Sequence, residues 1–380
     1  MRRPCRNKHL LSKDLIKPSK FARLRVGILL VIVSHPKSHF LKDNLLLMKL
    51  LLKRAVLFLL ILTAIVFLAF KLSPYPSVWI IRYAFNKEAI KVNKELEKFV
   101  PNRVRAIKQI HYDTTDEGAY MDAYFPGDSS RSTIKLPVIV WTHGGGLISG
   151  DKSQLSNYCK LLADRGYLVV SIDYTIAPKG RYPTPITQLN RALAYISSNS
   201  EQLNADTSLI FLAGDSGGSM ISAAAANVIT SPAYARLTKI RPGLNPNQLK
   251  GLILYCGIYE IDNVKTEGSF GSFMKTVMWA YFGKKSLSGD QYAKSASVAN
   301  FLTTAFPPSF ISAGNKDPLL GQSKLLASRL AALKTPIDTL FYPENYTPGL
   351  GHEYQFTLNE DGKNALERSI MFLSAIESNR

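Results

Sequence analysis

The sequence predicts an α/β fold: a mostly parallel central sheet with helices on both faces, preceded by an apolar N-terminal helix. Three observations predict it. Strand-like and helix-like segments alternate from residue 104 onward, the rhythm of a parallel sheet with crossover helices. Segments 136–142 and 249–256 are nearly continuous apolar runs, suited to strands buried on both faces. Residues 55–70 (AVLFLLILTAIVFLAF) contain no charged side chain. A chain of 380 residues holds one large domain of roughly 250–300 residues together with an N-terminal extension.

The formal charge of +19 resides mainly in that extension. Residues 1–54 carry 14 of the 47 Lys and Arg residues, against only Asp14 and Asp43. No interleaved stripe of aromatic and basic residues follows, so no nucleic-acid partner is expected. Cys5, Cys159 and Cys256 have neither metal-ligand spacing nor a disulfide framework. The last two read as small buried hydrophobes.

The apolar run at 55–70 is bracketed by Lys53-Arg54 and Lys71. At ~1.5 Å per residue it spans about 24 Å, short of a ~30 Å hydrocarbon core. Leu50 to Leu52 and snorkelling of the flanking cations make up the difference, which predicts a transmembrane signal anchor at 55–72. The rival is a cleaved signal and a secreted product, but no small-x-small site precedes Lys71. The basic flank places the N-terminus in the cytoplasm and the bulk of the chain across the membrane. Within the tail, residues 26–33 are apolar but too few to span. Met48 opens the layout of a signal anchor, so it is expected to be the true initiator.

Residues 73–103 read as a juxtamembrane stalk or lid helix, with helical spacing over 82–100. The domain proper covers 104–380. Segments 104–112 and 119–125 form a hairpin across a polar turn. Strands follow at 136–142, 167–173, 209–213, 249–256, 309–313 and 337–342, with helices near 155–165, 185–198, 216–229, 319–333 and 359–378. Residues 261–306 break the rhythm with an aromatic-rich, helix-like insertion. It is either a cap over a site or a peripheral packing subdomain.

Gly214-Asp215-Ser216-Gly217-Gly218 fits G-x-S-x-G and stands between a strand and a helix. That context is the one in which a sharp turn lifts a serine hydroxyl out of an α/β-hydrolase sheet. His143-Gly144-Gly145-Gly146 follows the buried strand at 136–142. Its glycines free backbone N–H groups to face a developing oxyanion, joined by the N–H of Gly217. His143 is expected to support that loop by hydrogen bonding, with Gly144. The alternative is a flexible glycine turn. Of the six histidines, only His352 follows Ser216, in a Gly-flanked loop before the last helix. Asp317 comes shortly after the strand at 309–313 and fits the acid that orients the imidazole. Asp262, Asp290 and Asp338 are less well placed.

Together these motifs resemble the hormone-sensitive-lipase-like group of α/β-hydrolases, which includes bacterial esterases and membrane-anchored arylacetamide deacetylase-type enzymes. The resemblance covers about residues 104–378. It rests on HGGG at 143–146, Asp173-Tyr174-Thr175-Ile176-Ala177-Pro178, GDSGG at 214–218, Asp317-Pro318-Leu319 and His352. It implies a helical cap, no cofactor or metal, and a small-molecule ester as partner. It also implies oxyanion donors at Gly145, Gly146 and Gly217, and Ser216, Asp317 and His352 as a catalytic triad cleaving short- to medium-chain acyl esters. Three departures stand out: Gly217 where Ala is usual, Lys179 in place of Glu, and His352-Glu353-Tyr354 in place of His-Gly-Phe. A peptidase, amidase or deacetylase on the same fold differs only in the group released, and a non-catalytic binding relative keeps the fold alone. A chymotrypsin-like protease would use the order His143, Asp173, Ser216, but requires a strand after the serine. The segment 222–227 (SAAAAN) is helix-forming instead.

Overall fold

The computed structural model describes residues 37–127, 134–264 and 267–378. Cys5 and the apolar patch at 26–33 lie outside the described residues. The chain divides into two units, Met1–Ala64 and Ile65–Arg380. Helix α1 (Lys37–Leu72) begins in the first unit and starts well before residue 55. Leu and Lys dominate residues 45–53, and both are strong helix formers, so the charged flank continues the helix. Residues Phe40–Leu72 form a helix long and apolar enough to cross a membrane. The helix therefore runs on past the uncharged stretch at 55–70 into its charged flank.

Helix α2 (Tyr75–Leu96) opens with Pro76 in its first turn, where a missing N–H costs nothing. It starts earlier than the expected 82 and ends at Leu96 in a short 3₁₀ turn, Glu97–Phe99. The first turns carry apolar residues on both faces, which hides their helical period.

Beyond it lie the strands β1 (Arg105–His111), β2 (Tyr120–Phe125) and β3 (Leu136–Thr142), then α3 (Ser156–Ala163) and β4 (Leu168–Ile172). Helices α4 (Thr184–Ser198) and α5 (Ser200–Leu203) lead to β5 (Ala205–Asp215), α6 (Gly217–Thr230) and α7 (Pro232–Thr238). Strand β6 (Leu249–Tyr255) is followed by α8 (Gly268–Phe282) and α9 (Gln291–Ala296), which occupy the insertion. The chain continues through β7 (Ser309–Ala313), α10 (Leu320–Ala332), β8 (Ile337–Phe341) and α11 (Glu360–Ser378). The eight strands run in the order β1-β2-β4-β3-β5-β6-β7-β8. Strand β2 is antiparallel to β1 and β4, and the remaining pairs are parallel.

The alternation along the inner strands sorts side chains onto two apolar layers. Val138, Val140, Leu212 and Leu254 join the core beneath α4 and α6. Ile139, Trp141, Phe211 and Tyr255 join the core beneath α3 and α11. Both layers are dry, which is why these strands read as unbroken apolar runs.

Helix α6 approaches β3 closely. A Cβ at Gly218 would overlap the carbonyl oxygen of Thr142. Gly218→Ala is expected to lower stability by about 1–3 kcal/mol through overpacking, read as an earlier denaturation midpoint. Gly321→Ala, in α10 with nothing within 4 Å of the added methyl, is expected to be neutral or stabilising by up to ~1 kcal/mol.

Candidate active site

Strand β5 ends in a turn that the backbone alone would avoid. Ser216 has φ +48° and ψ −118°, a conformation that costs a non-glycine residue about 1–3 kcal/mol. Surrounding bonds over-determine it: Ser216 N donates to Tyr255 O at 2.8 Å. Ser219 Oγ reaches both Gly214 O at 2.6 Å and Tyr255 O at 2.8 Å. The hydroxyl is thereby held above the ends of β5 and β6, at the N-terminus of α6.

Two loops bring partners to it. Asp317 follows β7, and His352 follows β8. Ser216 Oγ and His352 Nε2 are hydrogen-bonded at 3.0 Å, and His352 Nδ1 donates to Asp317 Oδ2 at 2.9 Å. The other carboxylate oxygen accepts from Leu319 N at 2.7 Å. The structure thus brings together three residues spread over 136 positions of the chain.

Asn315 was not singled out from sequence, yet it ties the two loops together. Its amide donates to the carbonyls of Pro343, Glu344 and Tyr346, and its Oδ1 accepts from Leu350 N at 2.8 Å. Lys316 N adds a bond to Leu350 O at 2.9 Å. A polar residue two positions before the acid was the available signal.

Burial works against a charged His352 ring. The Cys256 sulfur, the Asp317 carboxylate and Glu353 outweigh it and hold the imidazole well above its ordinary range. Burial pushes the Cys256 thiol up to about 11, so it is a neutral neighbour rather than a nucleophile. Cys256, Asp317 and His352 each offer a ligand atom within 4.8 Å of the others. A metal held there would displace the proton between Nδ1 and Oδ2, so metal binding and the hydrogen-bonded triad are alternatives.

The glycine loop lies beside the serine. Gly145 and Gly146 have φ of +91° and +61°, backbone conformations that a side chain resists. His143 is buried, stacks on Tyr174 at 4.3 Å and donates from Nδ1 to Gly144 O at 2.9 Å. Burial lowers its pKa and keeps it neutral. Tyr174 OH bonds the His143 carbonyl at 3.0 Å. Asp173 is not hydrogen-bonded to His143, whose Nδ1 bonds Gly144 O, but accepts from Lys152 Nζ at 2.9 Å and Lys152 N at 2.7 Å. That pairing, with a helix after the serine, leaves no chymotrypsin-like arrangement.

Two departures acquire physical reasons. At Gly217 a Cβ would stand 3.0 Å from Leu147 Cδ2, so Leu147 fills the space an alanine methyl would need. Glu353 adopts φ +59° and places Oε1 3.7 Å from His352 Nε2. Burial, with the nearby Glu353 carboxylate, pushes the Asp215 carboxyl well above the usual range. Its Oδ1 accepts from Trp141 Nε1 at 2.8 Å. Lys179 is exposed, and nothing in the structure explains it.

The pattern that defines the BD-FAE family matches residues 121–330, more than half of the chain and a span holding Ser216 and Asp317. The chain belongs to the BD-FAE family. Among relatives of this family member, an acetyl esterase of Salmonella choleraesuis is 28% identical over 259 residues, covering 66% of this chain and 75% of its own. Esterase B from Lactobacillus rhamnosis aligns with a TM-score of 0.68 at 21% identity, over 80% of this chain and 97% of its own. An esterase of Pyrobaculum calidifontis aligns with a TM-score of 0.63 at 22% identity, over 79% and 94%. The BD-FAE chain is thus an α/β-hydrolase of the hormone-sensitive-lipase-like kind, with a mostly parallel sheet.

Two outcomes test the local geometry. Gly217→Ala is expected to cost less stability in a Leu147→Ala background than in the native chain, a favourable coupling of roughly 0.5–3 kcal/mol read from a double-mutant cycle by denaturant titration. Glu353→Gln removes a negative charge that favours the imidazolium. Because Nε2 accepts a proton only when unprotonated, turnover rises with pH through the His352 pKa. The rising limb of kcat/KM is expected above pH ~6.5 in the native chain and at lower pH in Glu353→Gln.

Proposed function

We propose that this protein is a serine carboxylesterase acting on short- to medium-chain acyl esters, anchored in a membrane by α1. One observation carries the reading: the continuous hydrogen-bonded path Ser216–His352–Asp317, at 3.0 and 2.9 Å. Ser216 attacks the ester carbonyl while His352 takes its proton. Asp317 fixes the Nδ1–H tautomer and stabilises the imidazolium. The N–H groups of Gly145, Gly146 and Gly217 receive the oxyanion, His143 and Gly144 hold their loop, and His352 then protonates the leaving alcohol. Water repeats the cycle on the acyl-enzyme. No step calls for a metal or organic cofactor.

The acyl chain has an apolar wall to meet. A Cβ on Gly146 would stand 2.9 Å from Phe273 Cζ and 3.6 Å from Val277 Cγ2, so α8 closes directly over the glycine loop. Phe270 and Phe273, 6.0 Å apart, extend that wall. This supports the cap reading of the insertion over a packing subdomain. The placement of the N-terminus in the cytoplasm and the hydrolase across the membrane rests on the basic flank at residues 49–54.

Nitrophenyl esters from acetyl to palmitoyl test the reading. The native chain is expected to favour the shorter members. Ser216→Ala should lose roughly 10⁶-fold in kcat, and Asp317→Asn about 10⁴-fold through the wrong imidazole tautomer. Full turnover by Ser216→Ala would place the chemistry elsewhere.

A further inference from the structure

Helix α2 has two unlike faces. Inward, Val78, Ile81, Val92 and Leu96 join the core. Outward, Trp79, Ile80 and Tyr83 are 72%, 62% and 74% exposed, with Tyr75 and Ile90 beside them. Positions 75, 79, 83 and 90 recur at helical spacing and share one face. Scattered exposed apolar residues need no explanation, but a contiguous aromatic patch does.

Chain continuity says what covers it. Only Ser73 and Pro74 separate the end of α1 from the start of α2. Two residues reach at most about 7–10 Å, comparable to the headgroup layer on one side of a bilayer. Tryptophan and tyrosine are the residues that settle at that depth, with lysines reaching outward. Lys71, Lys87 and Lys94 flank the patch on the chain. Lys285, set over the Trp279 ring at 4.3 Å, donates to the Lys71 carbonyl and ties the end of α8 to the end of α1.

The same helix grips the active-site loop. Arg82 donates to Ile148 O at 2.6 Å and Ala177 O at 2.9 Å, and Asn86 Oδ1 accepts from Gly150 N at 3.2 Å. Phe85 lies 5.4 Å from Phe273, which covers Gly146. An aromatic track therefore runs from α2 to the glycine loop.

We propose that α2 is a bilayer-docking helix: its outward face lies in the headgroup–acyl boundary, and Phe85 and Phe273 admit esters dissolved in the lipid. The inference rests on the membrane-anchor and esterase readings above. It places the site's natural substrates among lipophilic esters that partition into membranes, whatever soluble esters the triad also cleaves.

The test uses the full chain in vesicles whose phospholipids are brominated near the top of the acyl chains. Of the three tryptophans, Trp141 is buried in the core and Trp279 is half-buried beneath Lys285, so in a Trp279→Phe background Trp79→Phe isolates the outward one. The Trp279→Phe chain is expected to be quenched, and Trp79→Phe in it to lose most of that quenching. A chain carrying Trp79→Glu, Ile80→Glu and Tyr83→Glu is expected to lose about tenfold or more in turnover of a long-chain ester held in the bilayer. Its turnover of a soluble acetyl ester should stay within about twofold. Quenching unchanged by Trp79→Phe, or loss of both activities alike, overturns the proposal. Quenching needs no turnover, so an inactive native chain would sink the esterase reading while Trp79 still decides docking. Flotation of the chain with vesicles, resistant to alkaline wash, separates failed docking from a failed anchor.

Discussion

The architecture of the site depends on the approach of α6 to the end of β3. Gly218 rests against the Thr142 and His143 carbonyls, where any side chain would overlap them. That contact forces the abrupt turn at Ser216, and the same carbonyls open the glycine loop. The turn at Ser216 and the glycine loop are thus two consequences of one backbone contact. The strain at Ser216 persists because bonds from Tyr255 and Ser219 leave the turn no alternative.

A second constraint governs the base. His352 comes from a loop with glycines on either side of Leu350, which by itself would wander. Asn315 fastens that loop to the one bearing Asp317. The imidazole is then held between an ionised carboxylate on Nδ1 and Glu353 near Nε2. Glu353 also reaches Asp215 beside the serine, linking nucleophile elbow and base loop through one carboxyl pair. In a low-dielectric site such a pair carries a proton more readily than two charges.

Helix α2 belongs to this arrangement rather than to a spacer. Its polar residues Arg82, Asn86 and Asn93 bond to the chain just beyond the glycine loop. Its Phe85 extends the aromatic wall built by α8. Helix α2, helix α8 and the glycine loop are therefore neighbours in space, although they lie far apart in the chain.

Much of this was legible in one dimension. The parallel sheet follows from apolar runs alternating with helical periods, because burial on both faces leaves no polar alternation. Ser216 and the glycine loop were visible because a strand–turn–helix crossing needs glycines at fixed offsets, and that is local chemistry. His352 was found by elimination, and Asp317 by its place after a strand. The start of α2 was not legible, since apolar residues on both faces of Tyr75–Tyr83 blur the helical period. Nor was the extent of α1, because charges at 49–54 look like a boundary while favouring helix. Asn315, the Glu353–Asp215 pair and the fit of Leu147 against Gly217 were decided only by tertiary structure. Each is a contact between residues distant in the chain, and no local propensity or spacing encodes which distant atoms will meet.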